Sequence, residues 1–418
     1  MATVFDYLEW RGDIGFDQSA FNQVDALIFS WLSYYEFENL QEVYNKTVAE
    51  VAKLHIASFG KFQKINITNA ILPQTSATWL LYCASQTERY SKVIVKRGYA
   101  VKDLTANVQF SATTFNYAVD KICIAYRGTD GSVAGWKEDF MLSYATDLPA
   151  QRYALSYLED EELSEEKVIV GHSKGGNLAM YSALHCEDKT LETIRFVYNF
   201  DGPGFFNDIL LNADRYKTQL RDKIISIVPK SSIIGMLLNH EDDYLVVDSE
   251  MVSMIQHNAL FWKVKGTSFV YIDKRTISSE VIDATVSAWI NSLDLEKRET
   301  IVNNLFAIIE STGISDFSQL TDNMLKNILL MVRELTKVSK EDRDMITRVL
   351  FRLGGIGTAN ISQVVVNNTI VNNISNDIED TVSSLSESIQ QGKHRFLRII
   401  KKKKEDLFSN IKKPDKEG

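Results

Sequence analysis

Along residues 21–35, AFNQVDALIFSWLSY, the apolar positions Phe21, Val24, Leu27, Ile28, Trp31 and Leu32 recur every three or four residues, the spacing of one helix face. Two or more further helices are expected across 40–97, which makes the N-terminal segment helical. The period changes near residue 100. Residues 105–115 (TANVQFSATTF) and 118–126 (AVDKICIAY) are rich in β-branched and aromatic residues and read as strands. Residues 133–160 read as mainly helical. KVIVG, 167–171, is a short apolar run, the pattern of a parallel strand covered on both faces. Helices over 176–186 and 208–221 then alternate with strands over 194–201 (IRFVYNFD) and 223–228 (KIISIV). Such alternation predicts an α/β sheet. YLVVDS (244–249), ALFWKV (259–264) and FVYI (269–272) are expected to extend the sheet or its edge.

From 278 onward the pattern is helical, over 279–293, 296–311, 318–336 and 339–353. An Asn/Ser-rich stretch follows and reads as a helix or a partly ordered stalk. The expected organisation is an α/β domain over 1–275, a helical domain over 276–355, and an extended helix or partly disordered tail with a basic C-terminus over 356–418.

Composition narrows the function classes. With 45% hydrophobic residues the 418-residue chain can bury a large core. A formal net charge of −9 argues against a general nucleic-acid binder. The cysteines, Cys83, Cys123 and Cys186, are odd in number and widely spaced, so neither a disulfide framework nor a zinc site is expected. A reducing, cytoplasmic location fits them. The N-terminus lacks the basic and apolar regions of a signal peptide, and no apolar run approaches the length of a membrane span.

One stretch carries chemistry. Gly171-His172-Ser173-Lys174-Gly175 has the form G-x-S-x-G. The pentapeptide alone is a weak signal, but here it follows a short β-branched strand and opens a helix, as a nucleophile elbow requires. The chain must turn sharply there, and glycines two residues before and after the serine leave room for the turn. Ser173 is the expected nucleophile, and the backbone N–H of Lys174, at the helix N-terminus, is the expected first oxyanion donor. The plainer alternative is that Ser173 caps the helix. Ile122–Gly131 ends a second strand in the turn Arg127-Gly128-Thr129-Asp130. Thr129 is placed by chain order as a second oxyanion donor, the alternative being an ordinary glycine turn.

A base should follow the serine in the order Ser, acid, His. His185 lies too far along the elbow helix and His394 lies in the basic tail, which leaves His240 and His257. His257, in a loop before Phe261-Trp262, is the better placed. For the acid, Asp201 closes a strand and precedes Gly202-Pro203-Gly204, at the edge where α/β sheets bind ligands. Asp242, Asp243 and Asp248 compete with it.

These residues resemble a family. Arg127-Gly128-Thr129, Trp136, Asp139 and Gly171–Gly176 resemble the class 3 lipase pattern. Asp6–Asp13 (DYLEWRGD), Asn22–Leu27 (NQVDAL) and Ile227–Leu238 (IVPKSSIIGMLL), running on to Gln256-His257, look more specifically like the bacterial Mbeg-like domain family. The likeness covers about 1–265. It implies an α/β-hydrolase fold and lipase- or esterase-like chemistry, with Ser173 as nucleophile, Thr129 as oxyanion residue and His257 as base. Two departures stand out. Class 3 lipases place the acid after the strand corresponding to KIISIV, where this chain has Pro229-Lys230-Ser231-Ser232. They also usually carry leucine where Lys174 stands, and a lysine there would favour an anionic substrate.

The expected function is therefore hydrolysis of a small-molecule carboxylic ester or lipid by Ser173, His257 and Asp201, with no metal or organic cofactor. The alternatives are a catalytically weak α/β-hydrolase scaffold acting as a binding protein, and an acyltransferase or thioesterase. Residues 393–413 hold nine Lys/Arg against two Asp/Glu, interleaved with Phe396, Leu397, Ile399, Ile400 and Phe408. This segment reads either as a helix lying on an anionic membrane or as a solvated tail.

Overall fold

The computed structural model describes residues 2–65, 73–103, 106, 108–205, 214–232, 234–236, 238, 244–251, 253–276, 293–316, 319, 324–335, 337–340, 342, 343 and 346. The chain divides into two units, Met1–Glu299 and Thr300–Gly418.

The first unit is a mixed α/β structure around one nine-stranded sheet. Its strands are β1 (Lys46–Thr47), β2 (Ile94–Asp103), β3 (Val108–Ala118), β4 (Lys121–Tyr126), β5 (Glu166–His172), β6 (Ile194–Phe200), β7 (Ile224–Pro229), β8 (Tyr244–Val247) and, two short strands further on, β11 (Tyr271–Ile272). β9 (Val264–Lys265) and β10 (Ser268–Phe269) form a separate hairpin. β4 to β8 pair in parallel and in chain order, while β1–β3 and β11 flank them antiparallel.

That order has a consequence for the layers. Parallel crossovers are right-handed almost without exception. Strands laid down in one direction therefore send all their crossover helices to the same face. α7 (Pro149–Glu159) joins β4 to β5, and α8 (Lys174–His185) joins β5 to β6. Both pack in one core cluster with Phe110, Ile122, Ile124, Ile169 and Val197. The opposite face has no crossover to cover it and takes the N-terminal helices α1 (Val4–Arg11), α2 (Gln23–Leu32), α3 (Val48–Phe59) and α4 (Pro73–Ser85) with the short α5 (Glu88–Ser91). Leu27, Ile28, Trp31, Leu80 and Leu81 pack there with Phe115, Cys123, Ala125, Val168, Val170 and Phe200. Strand β5 shows both layers, since Val168 and Val170 point to the N-terminal helices and Ile169 to the crossover helices.

The N-terminal motif residues tie this cover down. Tyr7 and Asp25 meet inside it, at 3.0 Å. The Asp25 carboxylate also accepts from Arg89 Nε at 2.8 Å and from the Tyr90 hydroxyl. Asp25 and Arg89 are both fully buried, so each needs the other.

Two expectations change. Helices do fill much of the region read as helical across 40–97, but its last four residues begin strand β2, whose apolar residues come in runs around Gly98 and show no strand alternation. ALFWKV at 259–264 is a helical turn, Ala259–Phe261, followed by the short β9, not an extended strand. Asn258 caps that turn through its side chain, which accepts from the Leu260 N–H.

After α9 (Asp188–Thr193) in the first unit, the second unit is helical among its described residues, with the larger part of α10 (Leu295–Glu310) and α11 (Met324–Leu335). α10 buries Ile301, Val302, Leu305, Phe306, Ile308 and Ile309 along one face. Among the described residues no helix is long and apolar enough to cross a membrane. The segment 393–413 lies outside the described residues, as do 354–390, His240, Asp242, Asp243 and His394.

Candidate active site at the end of the parallel strands

Ser173 stands between β5 and α8 with φ +58° and ψ −134°. A non-glycine residue in the left-handed region costs about 1–3 kcal/mol and persists only where its surroundings hold it. Here the Ser173 N–H donates to the Phe200 carbonyl at 3.0 Å, and the Ser173 carbonyl accepts from Gly176 N–H at 2.8 Å. The glycines are steric necessities. A Cβ on Gly171 would lie 2.0 Å from the Gly175 carbonyl oxygen, and one on Gly175 would lie 2.1 Å from that of Tyr126. The Ser173 side chain makes no capping hydrogen bond to α8, which removes the plainer reading of this serine.

Asp201 directly follows β6, the neighbouring strand, and its N–H donates to the Ile227 carbonyl at 2.9 Å. Its side chain is fully buried. Oδ2 accepts from His257 Nδ1 at 2.7 Å, and Oδ1 accepts from the Ser232 hydroxyl at 2.5 Å. A Cβ on Gly235 would lie 2.1 Å from Oδ1, so this glycine leaves room for the carboxylate. Ser232 belongs to the turn after β7, where the resemblance leads one to look for the acid. The hydroxyl of that turn supports a carboxylate supplied one strand away. Asp248, the described competitor, is instead paired with Lys230 and Lys263, which hold its carboxyl below the usual range.

His257 ends a short helical turn, Ser253–His257. Buried Gln256 anchors it. Its side-chain oxygen accepts from the Ser231 N–H at 3.0 Å, its amide donates to the Met251 carbonyl at 2.7 Å, and its own carbonyl accepts from the Trp262 indole at 2.8 Å. The His257 side chain is 29% exposed whereas its Asp201 partner is 1% exposed, so the pair opens to solvent on the histidine side.

The turn after β4 lies against the elbow. A Cβ on Gly128 would come within 3.1 Å of the Ser173 Cβ and 2.1 Å of the Tyr34 hydroxyl. Arg127 ties the turn to the segment after α2, donating to the carbonyls of Ser33 and Tyr35 and pairing with Glu38. The Thr129 hydroxyl donates to Asp139. The other Asp139 oxygen, Oδ1, is buried without a hydrogen-bond partner, and burial pushes this carboxyl up to about 6.

Lys174 overturns one expectation. Its side chain is 2% exposed and its ammonium is fully engaged. It donates to Gln109 O at 2.7 Å, Gln109 Oε1 at 2.6 Å and Glu138 Oε2 at 3.0 Å. It therefore does not draw in an anionic substrate. Glu138 is buried too, and accepts from the Gln109 and Ala150 N–H groups as well. The ion pair links the start of α8 to β3 and to α6 (Val133–Met141). Removing one partner of a buried pair typically costs about 3–5 kcal/mol. Lys174→Met is expected to lower unfolding stability by that amount in a denaturant titration, and adding Glu138→Gln should recover part of it.

No site role was legible in the sequence for His172, which contacts His257, for Tyr34 and Trp31, which pack on His172, for Ser232, which bonds Asp201, or for Gln256, which anchors the turn of His257. The G-x-S-x-G motif names His172 only as a variable position. The others lie far from it in the chain, so no spacing signals them. His185 packs against Tyr181 on the elbow helix, with ring centroids 4.3 Å apart and the planes tilted by 40°.

A serine on a left-handed turn between β5 and α8, next to a buried aspartate after β6 that is hydrogen-bonded to His257, marks the candidate site of this mixed α/β protein. The chain matches the Mbeg1-like family over residues 84–307, more than half of its length, and belongs to that family. A solved structure described as the crystal structure of M37 lipase is similar at 19% identity, covering 51% of this chain and 69% of that one, with a TM-score of 0.32. No curated protein matches the chain.

Proposed function

We propose that this protein is a serine hydrolase of the α/β-hydrolase fold that cleaves carboxylic esters or lipids. The observation that carries the reading is the 2.7 Å hydrogen bond from His257 Nδ1 to the buried Asp201, beside a serine held at φ +58°. A carboxylate that accepts a hydrogen bond from Nδ1–H keeps the hydrogen on Nδ1 and leaves the Nε2 lone pair free to act as a base. Ser173 Oγ attacks the ester carbonyl carbon while His257 Nε2 takes its proton. The backbone N–H groups of Lys174 and Thr129 hold the oxyanion of the tetrahedral intermediate. Collapse breaks the bond to the leaving alcohol, which receives the proton from His257. Water then repeats the sequence on the acyl-serine and regenerates the enzyme. The buried Lys174–Glu138 pair and the Thr129–Asp139 hydrogen bond keep the two donor segments in register with the serine.

Covalent labelling by a fluorophosphonate probe tests the reading. Full-length protein is expected to label, and Ser173→Ala is expected not to. Absence of labelling in folded wild-type protein would overturn the hydrolase assignment and favour a binding scaffold.

A further inference from the structure

We propose that His172 is a positioning residue for His257, holding the backbone of the base through a ring tautomer that the His257 carbonyl imposes and the Tyr34 hydroxyl completes. This rests on the reading of Ser173, His257 and Asp201 given above. His172 Nε2 lies 2.7 Å from the backbone carbonyl oxygen of His257. A carbonyl oxygen only accepts, so Nε2 carries the hydrogen. In a neutral imidazole Nδ1 is then bare, and it must accept. The group facing it is the Tyr34 hydroxyl at 2.9 Å, which can donate. Both rings are buried, and burial keeps His172 neutral by lowering its basicity well below the usual histidine range.

The rest of the environment leaves the ring no second position. Trp31 packs on the His172 ring with centroids 4.6 Å apart, and the His257 ring lies 4.5 Å away on a tilt of 38°. Gly128 provides the space in which the Tyr34 hydroxyl sits. His257 is thus held at two points. Asp201 binds its Nδ1 and His172 binds its carbonyl oxygen. With both ends fixed, the free Nε2 has one direction to face. Trp31 lies in the last turn of α2 and Tyr34 just beyond it, so the N-terminal helical cover takes part in aiming the base as well as closing the core.

Amide side chains separate this role from a merely structural one. The amide nitrogen of glutamine can occupy the place of the imidazole Nε2, whereas that of asparagine can occupy the place of Nδ1. The experiment measures the rate of fluorophosphonate labelling and the kcat and KM for p-nitrophenyl acetate in His172→Gln, His172→Asn and Tyr34→Phe. A misplacement near 1 Å costs about 100-fold in rate. His172→Asn is expected to lose about that factor in labelling rate and kcat with KM nearly unchanged. His172→Gln should stay within about tenfold of wild type, and Tyr34→Phe should fall between the two. Equal rates in the Gln and Asn variants, or a rise in KM at constant kcat, would overturn the proposal. If His172→Asn does not fold, Tyr34→Phe decides. It removes one hydroxyl, and a wild-type labelling rate in it would overturn tautomer control. Wild-type protein that does not label at all would overturn the underlying hydrolase reading instead, so the two failures are distinguishable.

Discussion

Ser173→Ala is expected to lower kcat for an activated ester by about six orders of magnitude, the loss seen when the nucleophile of such a site is removed. The fold should survive, because the Ser173 side chain makes no capping bond and the turn is held by backbone bonds to Phe200 and Gly176. Alanine does not relieve the φ of +58°, since its Cβ meets the same backbone. Ser173→Gly does relieve it. The glycine variant should be equally inactive yet more stable than the alanine variant by about 1 kcal/mol, the strain released outweighing the added chain entropy. Ester turnover and thermal melts of the two variants check this. Equal melting temperatures would mean that the turn stores no strain, and turnover near wild type would remove Ser173 from the chemistry.

Asp201→Asn is expected to reduce kcat by about 10⁴-fold with little change in KM. The substitution keeps the shape but changes which group donates. The Ser232 hydroxyl already donates to one side-chain oxygen, which pins the amide oxygen there and turns the amide nitrogen toward His257. An N–H facing Nδ1 needs a lone pair, so the imidazole hydrogen moves to Nε2 and the base loses its free pair. Adding Ser232→Ala releases the amide to rotate and present its oxygen to Nδ1. The double variant should therefore recover activity relative to Asp201→Asn alone. No recovery, with the fold intact, would separate the loss from the tautomer.

Much of the architecture is legible locally because it depends on short-range geometry. The strand–turn–helix around Ser173 needs β-branched residues, then glycines two before and two after the serine, all within ten residues. The helical face of α2 and the strands β3 to β7 show in the same way, by period. Strand β2 does not, since half of its side chains face solvent and its apolar period is broken. ALFWKV misleads because a capping asparagine outweighs its β propensity.

By itself the sequence determined that a parallel α/β sheet would place Ser173 at a strand end and that His257 would follow it in order. Only the tertiary structure decided which carboxylate faces His257, because Asp201 and Asp248 both directly follow strands and differ solely in what surrounds them. It also decided that the Lys174 ammonium turns inward, toward a buried Glu138 that lies 36 residues away in the chain. His172, Tyr34 and Trp31 meet for the same reason. Strands wound in one direction leave one sheet face without crossover helices, and the N-terminal helices that cover it bring their side chains against the elbow from residues nearly 140 positions away. Such contacts are set by the closing of layers, and no local pattern along the chain encodes them.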